Sequence, residues 1–129
     1  MKELYVASCC RTAVGAFQGS LSNTPAAALG AVVVKAALER AGLKPENVDE
    51  LMFGCILTAA QGQNPARQVG VKAGLPYSVP AYTVGHGVRL RHEERDRGRP
   101  RHPGRGRVRS SWPAAAENMS APLRPCPPS

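Results

Sequence analysis

Residues 61–84 read QGQNPARQVGVKAGLPYSVPAYTV, and this stretch decides the fold. Asn64 offers a capping side chain, Pro65 stands at the first helical position, where a missing N–H costs nothing, and Gly74 supplies a left-handed stop. A helix beginning at Pro65 and ending before Gly74 is therefore expected. The run SVPAYTV that follows is rich in β-branched and aromatic residues and reads as a strand. Ahead of the helix, ELMFGCILTA at residues 50–59 is a second apolar run of strand length.

Further back the same logic repeats. Thr24 and Pro25 form a helix-start pair, and PAAALGAVVVKAALERAG places Leu29, Val32, Val33, Ala36, Ala37 and Arg40 at steps of three and four before Gly42. Gly30 in the middle of this helix costs about 1 kcal/mol relative to alanine. Either close approach by another backbone or simple tolerance would account for it. KPENVDE reads as a turn, and ELYVASCC at residues 3–10 as a first, largely buried strand. The loop RTAVGAFQGSLSNTP between them has glycines at 15 and 19, which is not the G-x-G-x-x-G spacing, so a dinucleotide site is excluded. Strand, helix, strand, helix, strand predicts a parallel, layered α/β sheet joined by right-handed crossovers. Three strands do not close such a fold, so residues 1–84 are expected to be its opening portion.

The 129 residues carry a net charge of +8, unevenly distributed. Residues 1–84 hold seven Lys or Arg against five acids, whereas 85–129 hold ten Arg, four acids, all three His and seven of the twelve Pro. A basic segment this poor in aliphatic residues cannot bury enough surface to offset its ordering entropy, so disorder is expected from 85 onward. The domain reading is accordingly 1–84 for the α/β portion and 85–129 for a basic tail. No stretch has the layout of a signal peptide, and no apolar run approaches the ~20 residues of a membrane span, so a cytoplasmic protein without membrane contact is expected. Cys9, Cys10, Cys55 and Cys126 have neither metal-ligand nor disulfide spacing and are expected to be reduced, serving as small core residues.

The ordered series RTAVGAFQGSL, NTPAAALGAVV, VDELMFGCIL, GQNPARQVGVKAGLP and VPAYTV resembles the N-terminal part of the thiolase family of acetyl-CoA acetyltransferases, over residues 3–84. The resemblance implies the opening portion of a thiolase-like layered α/β/α fold and an enzyme of fatty acid metabolism. Its reaction is acyl transfer through a cysteine thioester: two acetyl-CoA give acetoacetyl-CoA and CoA, or the reverse. Coenzyme A thioesters are then substrates, no further cofactor is called for, and the intact enzyme is a homo-oligomer. Cys55 stands where the family more often has a polar residue.

The family's nucleophilic cysteine lies in a C-G-S-G turn at a helix N-terminus, which favours thiolate. By resemblance that turn begins three or four residues after Val84. The sequence there is GHGVRLRH, without cysteine. Written in GC-rich synonymous codons and read one base out of frame, this stretch is compatible with Asp-Met-Val-Cys-Gly-Ser-Gly. Each His followed by Gly or Glu can give only Met or Thr in that frame, and Met fits both times. AENMSAP at residues 116–122 then resembles the family's sequence restored to frame, before LRPCPPS departs again. A frameshift just after Val84 is thus expected, from sequencing error or, failing that, in a pseudogene.

No catalytic, cofactor-binding or metal-binding residue is therefore assigned, and the chain as written is expected to be inactive. Cys9 and Cys10, in a buried strand without a base beside them, are not substitutes. His86, His92 and His102 have no spacing that suits a metal or a base. Asn64, Pro65, Arg67 and Gln68 serve as helix start and polar packing, with a place near a subunit interface implied by the resemblance alone. The alternative reading is a basic-tailed polyanion or nucleic-acid binder. Against it, Trp112 is the only aromatic after Tyr82, so a platform for stacking bases is absent and no specific nucleic acid is expected.

Overall fold

A computed structural model describes residues 5–85 and 111–120. Helix α1 (Ala26–Ala41) leads through a short 3-10 turn (Pro45–Asn47) into strand β1 (Glu50–Gly54). Helix α2 (Pro65–Ala73), strand β2 (Ala81–Val84) and strand β3 (Ser111–Ala115) follow. The three strands form one parallel sheet in the order β2-β1-β3. Leu51 lies opposite Ala81 on one side and Trp112 on the other.

Both helices form where the punctuation of the sequence places them, with one shift. Asn64 caps α2, its side chain accepting from the Arg67 N–H, and Gly74 ends the helix at φ 86°. Gly42 ends α1 at φ 63°. At the start of α1, however, Pro25 occupies the cap position and no side chain caps the helix. Thr24, expected to cap, instead offers its carbonyl to Asn118 at 2.7 Å.

The core joins one face of each helix to one face of the sheet. Ala27, Ala31, Val34 and Leu38 of α1, Ala66, Val69 and Ala73 of α2, and Leu51, Phe53 and Cys55 around β1 share it. Leu51, Phe53 and Cys55 alternate along the chain and so point to the same side, which sets both helices on that face. The buried stripe of α1 is mostly small, with Ala26, Ala27, Gly30, Ala31 and Ala37 beside Val34 and Leu38, whereas Val32 on its outer side is exposed. This lets the helix lie close to the sheet. Gly30 is where it comes closest: a Cβ there would stand 2.6 Å from Phe53 Cε2 and 2.8 Å from Val69 Cγ2. Close packing, with side chains rather than another backbone, is thus the reason for this glycine.

Three expectations are corrected. Residues 5–10 form no strand. They run beside α1, where Ser8 Oγ donates to the Ala37 carbonyl at 2.8 Å and Arg40 Nη1 to the Cys9 carbonyl at 3.1 Å. A strand requires a ladder partner, and among the described residues 5–10 pair with no strand of the sheet. As a result Cys9 is exposed and Cys10 half-buried, and only Cys55 serves the core as expected; Cys126 lies outside the described residues. Lastly, disorder from residue 85 onward does not hold for 111–120. Ser111–Ala115 pairs along the whole of β1, because small alanines and open backbone groups satisfy a parallel ladder without needing an aliphatic run. The same expectation for 86–110 and 121–129 falls outside the described residues.

Strand β3 contains Pro113, opposite Met52. The Ala116 N–H donates to the Gly54 carbonyl at 3.1 Å, so even-numbered residues of this strand direct their backbone groups toward β1. The nitrogen of Pro113 therefore points to the outer edge, where the missing donor breaks no ladder bond.

Gly30→Ala gains helix propensity of at most about 1 kcal/mol but must displace Phe53 and Val69, which costs about 1–3 kcal/mol. A net loss of stability is expected, read as a lower denaturant midpoint. A higher midpoint would show that the α1–sheet contact has slack.

Candidate functional site at the carboxyl edge of the sheet

In open parallel α/β sheets, ligands bind outside the carboxyl ends of the strands. Here that edge gathers Cys55–Leu57 after β1, Gly85 after β2, and Ala116–Ser120 after β3. Both helices begin on the same side, since each runs antiparallel to the strand that follows it.

The four residues at the start of α2 are all engaged in packing. Asn64 Nδ2 donates to the Ala81 carbonyl at 3.2 Å, while its Oδ1 accepts from Thr83 Oγ1 at 3.0 Å and from the Arg67 N–H at 3.3 Å. The Ala66 N–H donates to Thr83 Oγ1 at 3.1 Å. Pro65 is buried, and Arg67 Nη1 donates to the Val79 carbonyl at 2.9 Å, holding the connection into β2. Gln68 Nε2 donates to the carbonyls of Gln61 and Gln63 at 2.8 and 3.0 Å, fixing the loop after β1. With Ala66 and Arg67 satisfied and Pro65 lacking an N–H, the start of α2 has few donors left for a bound anion. Gln61 itself is buried, and its Nε2 has no hydrogen-bond partner among the described residues.

The chemistry-bearing side chains found at this edge are a thiol and a carboxylate. Cys55 is 1% exposed, and its Sγ donates to the Leu57 carbonyl at 3.7 Å. Burial first, and the charge of Glu117 second, push this thiol up to about 11 from its ordinary 9.0. It is therefore a protonated thiol at neutral pH and a poor nucleophile. The Glu117 carboxylate accepts from the backbone N–H groups of Ile56 and of Leu57, the latter at 3.2 Å. Asn118 is buried, and its Nδ2 donates to the carbonyls of Leu21, Ser22 and Thr24 at 3.4, 3.2 and 2.7 Å. Ser120 Oγ accepts from the Gln18 N–H at 2.9 Å. Sequence reasoning quoted AENMSAP without giving these residues a role. Their partners lie between 60 and 102 positions away, and no local pattern carries that information.

The position three or four residues after Val84, together with His86, His92 and His102, lies outside the described residues. Among the described residues no group of three or more His, Cys, Asp or Glu could hold a metal ion, and no helix is long and apolar enough to cross a membrane.

A parallel sheet with helices on one face and its functional loops at the carboxyl edge defines an α/β protein, and comparison with known proteins sharpens this. The family model for the N-terminal domain of thiolases matches residues 4–87, and the chain belongs to the thiolase family. It is 61% identical over 84 residues to an acetyl-CoA acetyltransferase of Cupriavidus necator, covering 65% of this chain and 21% of that protein. Identity to the cytosolic acetyl-CoA acetyltransferase of Rattus norvegicus is 53% over 78 residues, covering 60% and 20%. Among solved structures, the Acat5 thiolase of Ascaris suum in complex with coenzyme A superposes with a TM-score of 0.63 at 35% identity, covering 64% of this chain and 22% of that one. The chain thus spans about a fifth of the length of the relatives it matches.

Two outcomes follow from the Cys55 environment. Because the thiol is held at about 11 rather than 9.0, its thiolate fraction at pH 8 falls on the order of 100-fold in the folded state. Iodoacetamide at that pH should modify the Cys55 peptide at least that much more slowly in native than in denaturing buffer, as read by mass spectrometry. Equal rates would mean that the site is open. The folded-state value lies above the unfolded one, so the neutral thiol's contribution to stability is complete below pH 9 and lost as pH rises toward 11. The alkaline fall in melting temperature should be shallower in Cys55→Ala.

Proposed function

We propose that this chain is the N-terminal part of an acyltransferase that moves an acyl group between two coenzyme A thioesters through a cysteine thioester, and that as written it is inactive. The observation that carries the reading is where the likeness stops. Identity of 61% to an acetyl-CoA acetyltransferase runs over 84 residues, the family match ends at residue 87, and the GHGVRLRH that follows Val84 contains no cysteine. In this mechanism the thiolate attacks the thioester carbonyl, CoA leaves, and the acyl-enzyme then accepts the carbanion of a second acetyl-CoA. Cleavage of acetoacetyl-CoA by free CoA is the reverse. Coenzyme A thioesters are the substrates and no other cofactor is needed. A homo-oligomer is the assembly proposed for the intact enzyme, and the cytoplasm its location.

None of the three thiols at described positions supplies the missing nucleophile. Cys55 is buried and protonated, and Cys9 and Cys10 lie in an irregular segment beside the later part of α1, whereas a nucleophilic thiolate of this kind sits at a helix N-terminus with a base beside it. A reading frame displaced by one base after Val84 and recovered near Ala116 accounts for both the lost cysteine and the run of arginines. The specific contacts made by Glu117, Asn118 and Ser120, just after Ala116, favour recovery of the frame by that point.

The test uses two proteins, the chain as written and the product of the gene with its frame restored throughout, from codon 85 onward. Acetoacetyl-CoA cleavage with free CoA should be absent from the first and present in the second, and resequencing around codon 85 should show the frame displaced there. Turnover by the 129-residue chain would overturn the proposal. The ten arginines after residue 84 favour one competing reading, a polyanion binder. Titration with duplex DNA distinguishes it: tight, site-selective retention at physiological salt would support that reading over this one.

A further inference from the structure

The three polar contacts made after β3 reach three separate places. Glu117 holds the N–H groups of Ile56 and Leu57 at the exit of β1. Asn118 holds three carbonyls of the loop that leads into α1. Ser120 holds the N–H of Gln18 at the beginning of that loop. The residues also brace one another, since the Ser120 N–H donates to Asn118 Oδ1 at 3.0 Å. From this geometry we propose that Glu117, Asn118 and Ser120 act as a single clasp, on which the order of both the 16–24 loop and the 55–57 exit depends.

The reasoning is one of supply and position. The 16–24 loop has only short turn bonds of its own, Gly19 N–H to Ala16, Ser22 to Gly19 and Thr24 to Leu21. Bonds of that kind do not by themselves anchor a loop to a distant element. Its side chains contribute little burial, with Phe17 exposed and Leu21 only half-buried. Asn118 is the buried group that fastens it: its one carboxamide nitrogen answers the carbonyls of Ser22 and Thr24 and shares that of Leu21 with the Thr24 N–H, just ahead of a helix that no side chain caps. Its own oxygen sets the turn that presents Ser120. A change at Asn118 is thereby transmitted through the short backbone segment to Ser120 on one side and Glu117 on the other.

The experiment is amide hydrogen exchange on the full chain, with Asn118→Asp and Ser120→Ala. Aspartate keeps the acceptor for the Ser120 N–H and removes the donor to the loop. If the clasp acts as a unit, exchange should quicken about tenfold or more at Ser22 and Thr24, and also at Gln18, Ile56 and Leu57, which Asn118 does not touch. The amides of Leu51 and Leu75, bonded to the carbonyls of Pro80 and Gly70, should keep their protection. Quickening confined to residues 19–24, or none, would overturn the proposal, as would a parallel loss at Leu51 and Leu75, which would mean that no separable clasp exists. Ser120→Ala provides a milder second reading. It should quicken Gln18 together with Ile56 and Leu57, and an effect limited to Gln18 would equally overturn the coupling.

Discussion

Strand β1 is paired along both edges and covered on both faces, and everything else in the described fold takes its position from that. Leu51 and Phe53 turn toward the helices and Met52 toward the opposite face, and all three are fully buried. From Leu51 to Phe53 such a strand can tolerate no polar side chain and no slip in register, because a shift by one residue would exchange its two faces. The demand then passes to α1. It must expose glycine and alanine to Phe53, and its bulkier valines are divided between the core and the outer surface.

Much of this was legible in local chemistry. The proline-first, glycine-last grammar of α2 needs no tertiary information, and the structure reproduces it from Asn64 to Gly74. The apolar run at 50–59 was legible as a strand because it is too short and too strongly apolar for an amphipathic helix, and its first half, Glu50–Gly54, forms β1 while 55–59 leave the sheet. What escaped was whatever depends on a neighbour. ELYVASCC has the composition of a strand, but composition does not supply a ladder, and residues 5–10 pack instead along a helix. Thr24 had the chemistry of a cap without its geometry. The rotation of α1 could not be read because alanines and Gly30 share its sheet-facing side with Val34 and Leu38 while Val32 points out.

The carboxyl edge shows the same division more sharply. Asn64, Arg67 and Gln68 lie within a short stretch of chain, and their packing roles follow from the helix they begin. Glu117, Asn118 and Ser120 draw on partners from two earlier loops, and only the finished topology brings these together. Their likeness to a family segment was visible in AENMSAP, while the reason for it was not. The basic composition ahead of β3 suggested a tail that had parted from the fold. Five residues of parallel pairing show that composition averaged over a long window conceals a short segment that still belongs to the sheet.

Pro113 bears on how this molecule meets other chains. An exposed strand edge is a template for intermolecular pairing, and proteins commonly blunt such edges with charge, proline or brevity. With its nitrogen turned outward at the midpoint of a five-residue strand, Pro113 leaves that margin without a donor where a visiting strand would need one. Among the described residues, then, the β3 border lacks a donor at its midpoint, and the β2 border already has the Ala81 carbonyl taken by Asn64.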